Sequence, residues 1–300
     1  MQKTLTDDSA QHATEHTWTC VTCGQEATEN FCAHCGEKPL ANHDFSLSHV
    51  LAEAAEAFFH VDSKVFLTLK TLIKKPGQLT ADFFLGRRKP YMSPLQTFFV
   101  CNLLFFVLQP LTGLEILAPP LRVFESNVFL KSTAANLIDQ RLAKKHISRA
   151  NEEQFGEFAD RFDHISHLQA KSLILVLALM MACVVAVLHF RRHYFSEHII
   201  FALHVYAWWL LWLLAILIVT ELAIVISSIV RHRIDFGFID EAATLLEFGG
   251  LGVYLFVANQ RYYKDKLVPG IIRGVILMFC GYGLFNLYRL LLLFTVLYST

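Results

Sequence analysis

An excess of charge is the first thing missing: 26 Lys and Arg stand against 26 Asp and Glu, so the formal charge is zero. Such a balance gives no bulk attraction toward a nucleic-acid backbone and sets nucleic-acid partners aside. A disulfide framework is missing too, since Cys101, Cys183 and Cys280 stand alone inside apolar runs. Residues 1–19 lack the apolar core of a secretory signal, and 1–17 read as a disordered polar tail. There is no glycine-rich phosphate loop and no nucleophile set in an oxyanion pattern. The chain therefore reads as a non-enzyme.

Apolar residues are what is there in excess. With 54% hydrophobic content, 26 Phe and a mean hydropathy of +0.43, the composition is that of a membrane protein. Charge concentrates in residues 1–93 and 117–171, whereas five nearly uncharged stretches follow Ser93: Leu95 to Leu117, Ser172 to Phe190, Ile199 to Val230, Ala242 to Asn259 and Gly270 to Tyr298. Each reaches the roughly 18–20 residues that cross about 30 Å of hydrocarbon. The expected fold is an all-α polytopic membrane protein of about five transmembrane helices with a small N-terminal zinc ribbon. Pro110 should kink or end the first span. Trp208, Trp209 and Trp212 suggest an interface, which would put 195–207 outside the hydrocarbon.

The remaining cysteines form two knuckles, Cys20-Val-Thr-Cys23-Gly24 and Cys32-Ala-His-Cys35-Gly36. Four thiolates at this spacing close one tetrahedral structural zinc site and leave no open position for a substrate; the glycines permit the tight turns. Zinc needs reduced thiols, so this end is expected in a reducing cytosol. Residues 18–40 form the ribbon, and its Glu26, Glu29 and Glu37 outnumber Lys38, which favours protein docking over nucleic-acid reading.

Residues 44–93 read as juxtamembrane helices. An amphipathic helix over 44–60 precedes a second, Lys64 to Lys75, stopped by Pro76-Gly77. Arg87, Arg88 and Lys89 then form a basic membrane-surface patch, as positive-inside flanking charge or as a dedicated lipid-headgroup site. The short loops holding Arg191 and Arg192, and Arg261, Lys264 and Lys266, should be cytoplasmic. That alternation gives a cytosolic N-terminus, an extracytoplasmic C-terminus and, within the membrane domain of 94–300, an extracytoplasmic helical loop over 118–171.

Two groups of polar residues are candidate functional sites. His189, His193, His198 and His204 with Glu197 straddle the second cytoplasmic loop, as a metal site, a proton-linked switch or interfacial histidines bonded to neighbouring helices. Glu221, Glu247 and Arg289 fall inside spans, where unpaired charge is costly. A structural bridge from Arg289 to a glutamate explains them, and a proton or solute path is the alternative.

The paired CxxCG knuckles, Gly86-Arg87-Arg88-Lys89-Pro90-Tyr91 with Pro94, Tyr194 to His198, Phe201 to His204 and Ala258 to Tyr263 resemble an uncharacterised family of bacterial zinc-ribbon integral membrane proteins. The resemblance implies a bacterial inner (cytoplasmic) membrane location and no activity or catalytic residue. The functional expectation is a docking, sensing or scaffold protein in contact with the bilayer and a cytosolic protein partner. A small-solute or proton-coupled transporter using Glu221, Glu247 and Arg289 is the alternative.

Overall fold

The computed structural model describes residues 17–28, 30–38, 64–113, 116–126, 131–190, 193–230 and 236–300. The expected tail (all but Thr17), the amphipathic helix of 44–60 and the Arg191-Arg192 pair lie outside them. Among the described residues the only strands are β1 (Trp18–Thr19) and β2 (Glu26–Ala27), an antiparallel pair that sets Trp18 opposite Ala27. Everything larger is helical.

Two short helices lead to the first span. They are α1 (Lys64–Lys74) and α2 (Gln78–Phe84), separated by the Pro76-Gly77 break read from the sequence. Gly77 takes φ +76°, and a Cβ there would come within 2.8 Å of the Ala258 carbonyl oxygen. Only glycine fits both the left-handed turn and this approach to another helix.

Helix α3 (Pro94–Leu108) starts where local chemistry dictates. The Ser93 hydroxyl accepts from Gln96 N at 3.3 Å, the Gln96 side chain accepts from Ser93 N at 3.0 Å, and Pro94 occupies the first turn. The α-helix stops at Leu108 and a 3-10 turn across Pro110, Gln109–Thr112, ends the span at Thr112, short of the expected Leu117.

Beyond it come α4 (Leu121–Ser126) and α5 (Lys131–Lys144), then three long helices and one of middle length: α6 (Glu152–Leu188), α7 (Phe195–Val230), α8 (Phe236–Tyr262) and α9 (Leu267–Ser299). The polar stretch around Glu152 to His167 and the second span are thus one continuous helix. Its 37 residues run from an Asn151 cap, whose Oδ1 accepts from Gln154 N at 3.2 Å.

Four helical segments, Pro94–Thr112, Glu152–Leu188, Phe195–Ser227 and Leu267–Ser299, are long and apolar enough to cross a membrane. The fourth of the five expected spans falls on α8, which is not among these four.

Helices α3, α6, α8 and α2 surround the first half of α7, and α9 packs on α6 and α8. Every residue from His198 to Leu210 is buried, as befits a helix that is apolar on all sides. Of the three tryptophans, Trp208 stacks on Tyr254 at 4.1 Å inside the bundle and Trp209 meets Phe285 edge-on, whereas Trp212 is only partly buried.

Contacts sort the loops to two ends. At one end Arg261 donates to the Pro76 carbonyl at 2.6 Å and His189 meets Asp265. At the other, the Tyr288 hydroxyl donates to the Leu117 carbonyl at 2.9 Å, and Gln169 reaches the Ser299 hydroxyl at 3.0 Å.

Candidate functional site

The two knuckles repeat one local geometry. Cys20 N donates to the Gln25 carbonyl and Cys32 N to that of Glu37, while Gly24 N and Gly36 N close back onto Cys20 and Cys32 at 2.8 and 2.7 Å. The turns bring the sulfurs of Cys20 and Cys35 to 3.4 Å and those of Cys23 and Cys32 to 3.5 Å, with all four inside 4.8 Å of one another. A tetrahedral ion with bonds of about 2.3 Å needs sulfurs about 3.8 Å apart, so the set fits a metal ion bound by thiolates. Backbone NH groups of Cys35 and His34 stabilise the Cys32 thiolate and bring its pKa down to about 6. Among the described residues, this is the one set of three or more His, Cys, Asp or Glu whose ligand atoms converge.

The cysteine head is tied to the basic turn after α2. Glu37, 5% exposed, accepts from the Thr22 hydroxyl at 2.7 Å and from Lys89 N at 3.1 Å. Arg87 Nε donates to the Val21 carbonyl at 2.9 Å, and a guanidinium nitrogen lies 3.7 Å from buried Asp82. Arg88 lies over the Phe83 ring at 4.2 Å. Arg87 and Lys89 are thus parts of one joint between head and bundle, while Arg88 folds back onto α2. Behind the joint, His204 shares a 2.8 Å hydrogen bond with Thr80.

The other histidines gather where α6, α7, α8 and α9 meet. Glu197 sits in the first turn of α7. Its carboxylate accepts from Tyr194 N at 3.0 Å, from His193 Nδ1 at 2.6 Å and from the Tyr262 hydroxyl. His198 shares a 2.7 Å hydrogen bond with the Tyr263 hydroxyl, and His189 stacks on the Tyr263 ring at 3.8 Å. His189 Nε2 also lies 3.3 Å from Asp265, which Arg273 pairs in turn. Burial lowers the His189 pKa, outweighing the Val185 carbonyl and Asp265 that favour its charged form. Burial likewise raises that of Tyr263. The bonds of Glu197 to Tyr262, of His198 to Tyr263 and of His189 to Asp265 cross between separate segments, the arrangement that holds helix ends together.

Tyr262, Tyr263, Asp265 and Arg273 escaped the sequence reading as members of this network. The signal was the Ala258 to Tyr263 stretch, which carried the resemblance without a stated role.

Glu221, Glu247 and Arg289 form no ion pair within 4 Å among the described residues. Arg289 donates to the Ile116 carbonyl at 3.4 Å and lies 4.7 Å over the Phe285 ring, and Glu247 is near enough for the two charges to act on each other. Glu247 lines a 20 Å³ space with Trp209, Tyr282 and Phe285, and Glu221 is half-buried farther along α7. Asn102 and Asn286 reach backbone carbonyls, of Lys171 and Tyr282, rather than joining a network. Alongside Glu247, a loop carbonyl takes up Arg289, because the 116–118 segment folds back across α9, a closure invisible to helical spacing.

Fold and site together define a helical protein with membrane-spanning helices and a metal-binding type of cysteine cluster near its N-terminus. Residues 62–106 match the model of a family described as a protein of unknown function, DUF3667. That stretch takes in α1, α2, the basic turn and most of α3. No curated protein and no solved structure matches the chain.

Proposed function

We propose that this chain is a bacterial inner-membrane scaffold whose cytosolic head, held by one structural zinc ion, fixes the basic juxtamembrane turn and presents a docking face to a cytosolic protein. The observation that carries this reading is the double tie of Glu37 to Lys89 N and of Arg87 to Val21. It couples the fold of the metal site to the membrane-surface segment. In this reading α8 is a fifth crossing, supported by the way its Arg261 and Trp212 neighbours join it to the bundle: Arg261 reaches Pro76 at the head end and Trp212 donates to Leu246 farther along. Arg261, Lys264 and Lys266 at the head end support a cytosolic side there, with 118–171 and Thr300 on the other side. The hydrogen bonds that tie His189, His193 and His198 to Asp265, Glu197 and Tyr263 suit a structural junction, and nothing here favours transport.

Metal analysis and trypsin test the reading together. Purified protein should carry close to one zinc, lost in Cys20→Ser and Cys32→Ser. In those variants the chain should be cut after Arg87 or Arg88 much faster than in the parent, because the head no longer covers the turn. Cutting at the parental rate by zinc-free variants would overturn the proposed coupling. Reporter fusions at Met1 and Thr300 that report the same side would overturn the five-span topology.

A further inference from the structure

Beneath the cysteine head lies a cleft of 340 Å³, bounded by the basic turn, the start of α3 and the buried His204 of α7. Its volume falls at the lower end of the range for small-molecule sites, roughly 300–1,000 Å³. Five cationic side chains line it: Lys38 from the head, Lys64 from α1, and Arg87, Arg88 and Lys89 from the turn. Among the described residues the lining holds one carboxylate, Glu37, whose Oε2 is already taken by the Thr22 hydroxyl and Lys89 N, while Asp82 lies outside the lining, 3.7 Å from Arg87. With Arg87 set against Asp82, the positive surplus rests on Lys38, Lys64 and Lys89, which converge from three separate segments onto one concave space. A concave wall concentrates such a field in a way that a flat row of flanking charges does not.

We infer that this cleft binds a phosphate-bearing anion, either the head of an acidic membrane lipid or a free phosphate. It adds a ligand to the scaffold reading and rests on that reading insofar as the docked head supplies one wall. Lysine ammonium groups match phosphate oxygens as compact point charges with three donors each.

The cleft's position brings it within reach of a membrane surface. Ser93, Pro94 and Gln96 in its lining are the first residues of a membrane-spanning helix. Helix α1, whose Lys64 lines the cleft, presents Phe66 at 76% exposure with Leu67 and Ile73 also exposed. That face suits the acyl boundary beside a headgroup.

The test uses the full-length protein in neutral detergent, followed by thermal unfolding as ligand is added. The probes are short-chain phosphatidylglycerol, short-chain phosphatidylcholine, and inorganic phosphate against chloride at equal ionic strength. A ligand of the folded state raises the melting temperature by mass action. Lys38→Gln/Lys64→Gln is the diagnostic variant, because the hydrogen bonds that join head and turn run through Glu37, Val21, Arg87 and the Lys89 backbone. It should keep its zinc and its unliganded melting temperature while binding about twenty-five-fold more weakly, about fivefold for each basic residue removed.

Stabilisation by phosphatidylglycerol alone assigns the lipid as the source, and stabilisation by inorganic phosphate assigns the free ion. Equal stabilisation by phosphatidylcholine, no stabilisation by any probe, or undiminished binding by the double variant would each overturn the inference. Zinc measured on the same samples reports separately on the scaffold reading, which can fail while anion binding holds.

Discussion

Replacing Gly77 with Ala isolates the most demanding contact between the juxtamembrane helices and the bundle. The added methyl would lie 2.8 Å from the Ala258 carbonyl oxygen and 2.9 Å from its Cα, both backbone atoms that cannot swing aside as a side-chain tip can. Relieving such an overlap by backbone shifts costs about 1–3 kcal/mol. Holding alanine at φ +76° adds about 1–2 kcal/mol. The two together give a loss of about 2–5 kcal/mol, or about 2–4 °C of melting temperature for each kcal/mol in a chain of this size. Gly113→Ala is the internal control, since Gly113 has φ +64° with no atom within 4 Å of the position a Cβ would take. It carries the conformational cost alone. Thermal unfolding of both variants in the same detergent should rank Gly77→Ala clearly below Gly113→Ala. Equal melting temperatures would refute the close approach of α2 to α8 and the packing built on it.

Two further outcomes follow from the ends of the bundle. Burial holds the His189 pKa below its ordinary value, so the folded state takes up its proton later than the unfolded chain on acidification. The stability it lends is present above about pH 6.5 and is lost as pH falls from there through the folded-state value. Unfolding temperature should therefore drop on acidification, with a shallower slope in His189→Gln; an unchanged slope would remove His189, with its neighbours Asp265, Arg273 and Tyr263, from the account. Tyr288→Phe should leave the Leu117 carbonyl without its donor at a cost of about 1–3 kcal/mol. Hydrogen exchange across 116–121 should quicken in that variant, and exchange at the parental rate would show that the bond does not hold the loop.

What could be read from the residues was whatever local chemistry decides. The knuckle spacing implied the convergence of Cys20, Cys23, Cys32 and Cys35, the Pro76-Gly77 break separated α1 from α2, and the turn across Pro110 ended the first span. Apolar runs located the long helices. Residues whose role depends on a distant partner stayed hidden. Glu37 looked like one acid among several in the head, and its place as acceptor for Lys89 N arises from a pairing 52 positions apart. The carbonyl acceptor of Arg289 stayed hidden because it lies on a loop folded back over 173 positions. The tryptophans suggested an interface because an aromatic cluster reads alike from sequence whether lipid headgroups or Tyr254 cover it. Glu197 and His198 were singled out together, yet the tyrosines that give them their partners came from another helix.

The length of α6 has a mechanical meaning. At 1.5 Å per residue its 37 residues make a rod of about 55 Å, some 25 Å more than a bilayer's hydrocarbon. One end carries the polar segment that packs against α4, and the other ends at His189 in the histidine–tyrosine junction. A rod pivoting near its middle by about 5° moves each tip by about 2 Å, in opposite directions. A tug on the polar segment would be geared, with its sign reversed, to the place where four helices meet near the cysteine head.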